Sequence, residues 1–139
     1  MKAKIIVTLL GFCWTVSSFA QAIGVEIDGN PIQLTVAPRI VDNRVLVPFR
    51  EIFEHLGAFV EWRPSTRTIY ARKGDNNLEL RVGSMTAKVN GSDVSLDVPA
   101  QIFGGYTYIP LRFVSESLGY DVNWKSYTRT VEILTLAHR

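Results

Sequence analysis

The sequence predicts an α+β fold in which short helices pack on an antiparallel sheet. The first observation is an internal repeat, because residues 25–71 align with residues 87–133 without a gap when the chain is shifted by 62 positions (87 − 25). The second is that each unit contains two pairs of segments in which apolar and polar residues alternate, and turn residues join the segments of each pair, which predicts β-hairpins. The third is one short apolar segment of helical spacing between the hairpins of each unit.

Each unit begins with a predicted hairpin. Residues 25–34 read VEIDGNPIQL, and residues 87–96 read AKVNGSDVSL. Asp28-Gly29 and Asn90-Gly91 are dipeptides that accept the positive φ angles of a tight turn. Asn90-Gly91-Ser92 also matches a glycosylation acceptor, but we interpret it as the turn alone.

A strand and a short helix follow in each unit. The strands are RVLVP, residues 44–48, and YTYIP, residues 106–110. The proline that ends each strand is expected at the start of the helix, because its fixed φ suits a first helical turn. A glycine is expected to end each helix in the left-handed conformation. The apolar face that should pack on the sheet comprises Phe49, Ile52, Phe53 and Leu56 in one unit and Leu111, Val114 and Leu118 in the other.

Each unit ends with a second predicted hairpin. Residues 59–71 read FVEWRPSTRTIYA, and residues 121–133 read DVNWKSYTRTVEI. Between the units, residues 74–77 are expected to form a turn and residues 78–82 one further strand. Because a two-turn helix needs packing to be stable, and neither unit can cover its own sheet, we expect both units to share one core.

The residues that recur at equivalent positions are those expected to form turns, cap helices and pack in the core, so we interpret the repeat as a duplicated structural unit. They include Pro48, Arg50, Glu54, Gly57 and Trp62 in the first unit and Pro110, Arg112, Glu116, Gly119 and Trp124 in the second. Each recurring glutamate lies four residues after a recurring arginine, which favours ion pairs on a helix face over catalytic carboxylates. The recurring tryptophans are either core residues or platforms for a sugar ring, and recurrence favours packing.

This set of motifs resembles the copper amine oxidase N-terminal domain family, whose members are also called stalk domains. The resemblance rests on the Asn-Gly type of turn, the apolar-Pro-apolar-Arg helix start, the Leu-Gly stop, the Val-x-Trp strand and the Thr-Arg-Thr segment, and it covers about Val25 to Leu134. It implies the α+β fold described above. It also implies an accessory module, common in exported bacterial proteins, that is separate from the catalytic domain of the amine oxidases.

The residues needed for amine oxidation are not present as a set. That chemistry depends on copper held by three histidines and on a tyrosine-derived quinone, whereas this chain contains two histidines, His55 and His138. No G-x-S-x-G nucleophile elbow occurs. We therefore predict no catalytic residues, no cofactor and no metal site.

The N-terminus has the pattern of a secretory signal peptide. Lys2 and Lys4 precede an apolar run, and Ala20-Gln21-Ala22 resembles a signal-peptidase site, with cleavage after Ala22 or after Ala20. The run is too short for a permanent membrane span of roughly 20 residues, although an uncleaved anchor is the alternative. The domains are therefore the signal, residues 1–22, and one globular domain, residues 23–139. The predicted location is periplasmic, cell-surface or extracellular.

Cleavage would leave a chain of balanced charge without cysteine. The signal contains two of the 15 basic residues and no acidic residue, so 13 basic residues (15 − 2) would balance 13 acidic ones. The single cysteine, Cys13, would leave with the signal. Balanced charge and export both argue against binding nucleic acid.

An aromatic excess in the second unit suggests a candidate ligand surface. Four tyrosines there have non-aromatic counterparts in the first unit: Tyr106, Tyr108, Tyr120 and Tyr127. A basic stretch around Trp62 could meet an anionic polymer, but we interpret it as a solvated hairpin: Arg63, Arg67, Arg72 and Lys73.

We interpret the protein as a non-catalytic, exported binding or interaction module that contacts an envelope protein or cell-wall polysaccharide. The alternative is a purely structural spacer or subunit of a larger envelope assembly, and a small envelope hydrolase is a third candidate. The sequence does not define an oligomeric state.

Overall fold

A computed structural model describes residues 22–136 of the chain. The residues before Ala22, which hold nearly all of the predicted signal and Cys13, and His138 lie outside the described part. The helices are α1 (Phe49–Leu56) and α2 (Leu111–Ser117). The strands are β1 (Gly24–Ile27), β2 (Asn30–Ile32), β3 (Arg39–Val41), β4 (Arg44–Pro48), β5 (Phe59–Arg63), β6 (Thr68–Lys73), β7 (Asn76–Arg81), β8 (Thr86–Val89), β9 (Ser92–Ser95), β10 (Gln101–Phe103), β11 (Tyr106–Pro110), β12 (Tyr120–Lys125) and β13 (Thr130–Thr135).

The strands form three sheets, which confirms the predicted α+β class. The terminal sheet has the order β12-β13-β1-β2, the central sheet β10-β11-β4-β3, and the five-stranded sheet β5-β6-β7-β8-β9. Neighbouring strands are antiparallel with one exception among the described strands, the parallel pair β1 and β13. The single sheet expected from the sequence is thus divided into three.

The hairpins of the two units are interleaved. The first hairpin of the first unit, β1–β2, joins the last hairpin of the second, β12–β13, where residues 24–27 pair with residues 130–133. The first hairpin of the second unit, β8–β9, shares a sheet with the last hairpin of the first, β5–β6, through β7. Neither unit therefore has a sheet of its own.

The two units meet directly in the central sheet, where β4 pairs with β11. Val47 lies opposite Ile109, and the flanking pairs are Leu46 with Pro110 and Pro48 with Tyr108. Since Val47 and Ile109 occupy the same position in their units, the pairing relates the units by an approximate two-fold axis. Both side chains are fully buried, so the axis passes through the hydrophobic core.

Two short strands were missed at the sequence level. β3 and β10 form hairpins with β4 and β11, through turns at Asp42-Asn43 and Gly104-Gly105 in which all four residues have positive φ. Dipeptides of this kind are a hairpin signal that could have found them. In the linker, the turn is confined to Gly74-Asp75, so β7 begins at Asn76, before the expected residue 78.

The helix boundaries differ slightly from those expected. Pro48 and Pro110 are N-cap residues in extended conformation, one position before the first helical residue. Gly57 is the left-handed C-cap of α1 at φ 72°, as predicted, whereas α2 ends at Ser117 with Leu118 as its C-cap, and Gly119 follows at φ 99°.

One core unites the two units, as expected. The buried face of α1 and its counterpart on α2 pack into the same cluster as buried side chains of β1, β6, β7 and β13. A second, small cluster forms beside it from Leu46, Val98 and Tyr108.

We predict that Ile109→Ala destabilises the protein by about 2–5 kcal/mol, because it leaves a cavity where the two units pair. Urea denaturation measures the change. The matched control is Ile102→Ala on β10, where the side chain is 40% exposed and the expected change is within about 0.5 kcal/mol. Equal losses in the two variants would contradict a core centred on the β4–β11 pair.

Candidate functional site

A groove of about 620 Å³ opens between elements of both units. It is bounded by the β3–β4 hairpin of the first unit and, from the second unit, by the segment after β9, the start of α2, and strands β12 and β13. Its volume lies in the range of roughly 300–1,000 Å³ that is typical of ligand sites. The residues that carry the following analysis are Ile40, Arg44, Asp97, Arg112, Phe113 and Trp124.

The charged lining of the groove is mainly basic. Arg44 donates to Asp97, with Nη2 and Nε at 2.7 and 3.2 Å from Oδ2. Arg112 donates through Nη1 to the main-chain oxygen of Val122 at 2.8 Å, which fixes its guanidinium beside β12. Arg129 also lines the groove. Arg112 also pairs with Glu116 at 3.3 Å, so Arg44 and Arg112 are both held by ion pairs within the protein.

The groove combines this charge with apolar surface. Buried side chains such as Leu96, Leu111 and Val131 line it, while Ile40 and Trp124 remain 48% and 41% exposed. Exposed apolar groups that border a concave site are typical of a binding surface.

The two recurring tryptophans have different environments. Trp62 is half-buried and packs on the core, with its ring centroid 6.0 Å from that of Phe49. Trp124 is exposed at the groove, and the residue equivalent to Phe49 in its unit is Leu111. The expected packing role holds for Trp62, but it is wrong for Trp124, because a smaller neighbour leaves the indole without an aromatic partner.

In the first unit, a carboxylate of the protein itself binds the bend that follows β2. There, both oxygens of Glu51 accept from the main-chain amide of Thr35, at 2.8 and 3.1 Å. Desolvation opposes ionisation, but the hydrogen bonds from Thr35 and Val36 outweigh it and lower the pKa of Glu51. The equivalent of Glu51 in the second unit is Phe113, which cannot make this contact.

The four candidate tyrosines do not form one surface. Tyr108 and Tyr120 are buried, and their hydroxyls donate to the main-chain oxygens of Ala37 and Leu56, each at 3.0 Å. The prediction of a ligand-facing role is therefore wrong for these two. Tyr106 and Tyr127 are exposed at 51% and 98% but do not line the groove.

Only one of the two expected helical ion pairs forms. Arg112 and Glu116 lie 3.3 Å apart. Within the described residues Arg50 makes no ion pair with Glu54; its guanidinium lies 5.0 Å from the ring centroid of Phe49. The prediction is wrong for Arg50 because the neighbouring aromatic face offers it another partner.

Two arginines of the basic stretch, Arg63 and Arg72, make contacts within their own hairpin. Arg63 pairs with Glu61 at 2.9 Å and lies 4.4 Å from the ring centroid of Tyr70. Arg72 lies 5.4 Å from the ring centroid of Phe59. These contacts fit the solvated hairpin that the sequence suggested.

The described residues offer no ready site for a metal. Between residues 22 and 136, no group of three or more His, Cys, Asp or Glu side chains converges, and His55 is exposed near the end of α1. None of the described helices is long and apolar enough to cross a membrane.

With the fold and the groove established, comparison with known proteins gives the family. A family model described as the copper amine oxidase N-terminal domain matches residues 26–133. The chain belongs to this family. The matched part corresponds to the N-terminal domain of the amine oxidases, not to their catalytic domain, and the resemblance seen in the sequence is confirmed.

A curated relative of this copper amine oxidase N-terminal-like domain is named Protease inhibitor and comes from Brevibacillus choshinensis. The two are 29% identical over 103 residues. The match covers 74% of this chain and 32% of the relative, so the chain spans only a minority of that protein's length.

Sequence reasoning missed the groove residues Ile40, Arg44, Asp97 and Phe113. Ile40 recurs in the other unit as Ile102, whereas Arg44, Asp97 and Phe113 lie at positions where the two units differ. At two positions beside the groove, Leu111 corresponds to Phe49 and Phe113 corresponds to Glu51.

We predict that Glu51→Gln lowers stability by about 0.5–1 kcal/mol at neutral pH, because it removes a charge-assisted contact at a partly exposed site. Since the pKa of Glu51 is lowered by folding, its contribution is present above its ordinary value of 4.5 and is lost as pH falls through the lowered pKa. Denaturation curves of both proteins between neutral and strongly acidic pH measure this. Glu54→Gln is the control, with no expected change at neutral pH. A stability difference that persisted at low pH would contradict the assignment.

Proposed function

We propose that this protein is a non-catalytic, exported binding module that holds a protein partner in the groove beside Trp124. The observation that carries the proposal is the groove itself, in which an exposed tryptophan and isoleucine stand next to several arginines. Tryptophan and arginine are the residue types enriched where protein interfaces gain their binding energy.

Two comparisons support a binding role over catalysis. The matched family domain is the accessory part of the amine oxidases. The relative's name, Protease inhibitor, describes a protein that acts on another protein. Because the relative is 29% identical and is matched over 32% of its length, its name supports a protein as the class of partner but does not point to a particular protease.

Export is part of the proposal. Cleavage after Ala22 would leave β1 intact, since that strand begins at Gly24. The partner would then be met at the cell envelope or outside the cell, where either a protein or cell-wall polysaccharide is available.

We predict that protein recovered from the culture medium or envelope of an expressing bacterium begins at Ile23, because cleavage follows the small-residue site. Mass spectrometry of the intact protein measures this. A chain beginning at Gln21 would place the cut after Ala20, and a chain that retains Met1 or Lys2 in the membrane fraction would contradict a cleaved signal.

We predict that the groove selects peptides from a phage-displayed library of random linear peptides. Binding of the selected peptides should fall by about tenfold or more in Trp124→Ala and in Ile40→Ser, because both remove exposed apolar contacts. Titration of synthetic versions of the selected peptides measures this, using protein purified after expression of the full chain.

Matched controls lie outside the groove. Tyr127→Ala removes an exposed aromatic ring, and Ile102→Ser changes the isoleucine that corresponds to Ile40 in the other unit. Both should bind as the unchanged protein does. Equal losses of affinity in the control and groove variants would overturn the proposal. It would also be overturned if no groove-dependent peptide were selected and the protein instead co-sedimented with insoluble cell-wall polysaccharide in a way that required Trp124.

A further inference from the structure

We propose that the groove holds its protein partner by adding an extended segment of that partner as a further strand along the free edge of β12. This inference rests on the proposed function, because it specifies how a partner binds at the same groove. The segment would be recognised mainly through its main chain, with apolar side chains at alternate positions. Pairing of this kind at an exposed sheet edge is a recurring mode of peptide recognition.

β12 is an edge strand that borders the groove. In the terminal sheet it pairs with β13 on one side, and no strand of the described residues pairs with it on the other. With six residues, it is the longest of the edge strands between residues 22 and 136. Val122, Asn123 and Trp124 of this strand line the groove. The free edge of the sheet and the groove therefore meet at the same strand.

Hydrogen bonds on the far side of β13 show which groups of β12 face the free edge. The main-chain oxygen of Ile133 accepts from the amide of Asp28 at 2.8 Å, so the main-chain polar groups of Ile133 face the β1 side. Alternate residues of a strand direct these groups to opposite sides. Val122 lies opposite Ile133, and Trp124 is two residues further along β12. Both residues therefore direct their N–H and C=O groups away from the sheet.

One of these outward groups already accepts a hydrogen bond from outside the sheet. Arg112, at the start of α2, donates through Nη1 to the main-chain oxygen of Val122 at 2.8 Å, which shows independently that this oxygen faces the edge. Within the described part of the chain, the main-chain amide and oxygen of Trp124 have no such partner. An added strand would pair with Trp124 and with the amide of Val122, and it would leave the Val122 oxygen to Arg112.

The apolar surface beside the edge selects the occupant, because water satisfies the main-chain groups themselves in the free protein. Side chains that are opposite each other on paired strands lie on the same face of a sheet. A segment residue opposite Trp124 would therefore place its side chain on the groove side, where the indole and Ile40 are 41% and 48% exposed. The residues on either side of it would point to the other face, beside the exposed Asp121 and Lys125. Alternating apolar and polar residues fit this edge, whereas a polysaccharide offers no row of alternating N–H and C=O groups.

The first unit provides a matched edge for comparison. β5 is the edge strand of the five-stranded sheet, and Trp62 holds the position on it that Trp124 holds on β12. The indole of Trp62 is half-buried against Phe49, so this edge lacks the exposed apolar surface. We therefore expect a partner segment at β12 and none at β5.

The first experiment changes only the peptide. In a synthetic version of a groove-dependent peptide from the phage-displayed library, methylation of one main-chain amide at a time removes one hydrogen-bond donor and leaves the side chains as they are. Amides that face β12 should lose about tenfold or more in affinity and the amides between them should not, so the losses should recur at every second residue. Losses without this alternation would overturn the inference and leave the proposed function standing, whereas the absence of groove-dependent peptides would overturn the proposed function.

The second experiment locates the added strand on the protein. Hydrogen exchange measured by NMR should show the amide of Trp124 slowed by about tenfold or more at saturating peptide, because this amide becomes a donor to the added strand. The amide of Trp62 should keep its rate. Unchanged exchange at Trp124, or slowing at Trp62 in its place, would overturn the assignment to β12. Protection of the Trp124 amide in the free protein that rises with protein concentration would identify a second copy of this chain as the occupant, and would also overturn the inference.

Discussion

The pairing of β4 with β11 is the contact on which the architecture depends. It sets Val47 against Ile109, the same position in two units, and both side chains are completely buried. Because equivalent strands lie side by side and antiparallel, the chain leaves this pair in opposite directions. The terminal hairpins of each unit therefore reach the sheets of the other, as in the parallel contact of β1 with β13. The two units therefore share one core, and neither unit forms a sheet from its own strands alone.

This arrangement also explains why the groove contains residues from both units. The β3–β4 hairpin of the first unit lies beside the bend and helix of the second, so the approximate two-fold axis creates two equivalent corners. In one corner, Phe49 packs with Trp62 and Glu51 binds its bend. In the other, Leu111 and Phe113 leave Trp124 exposed. The two corners thus differ in side chains, and the sheets beside them differ as well, because β13 pairs directly with β1 whereas β7 lies between β6 and β8.

The fold was largely predictable because its signals are local. Turn dipeptides such as Asp28-Gly29, a proline before each helix and a glycine after α1 act through nearby backbone geometry, and the structure bears them out. The division into three sheets was not predictable, since the pairing of Gly24 with Thr130 joins residues at opposite ends of the chain. The burial of Tyr108 and Tyr120 likewise depends on acceptors far away in sequence, Ala37 and Leu56.

The groove shows why recurrence was a poor guide to the site. Ile40, Arg112 and Trp124 recur in both units, so recurrence alone could not distinguish these groove residues from residues that serve folding, whereas Arg44, Asp97 and Phe113 lie at positions where the units differ. The excess of tyrosine in the second unit was one such difference, but two of these tyrosines, Tyr108 and Tyr120, are buried and hydrogen-bonded within the fold. The pair Glu51 and Phe113 is more informative, because the first unit shows the contact that the second has lost.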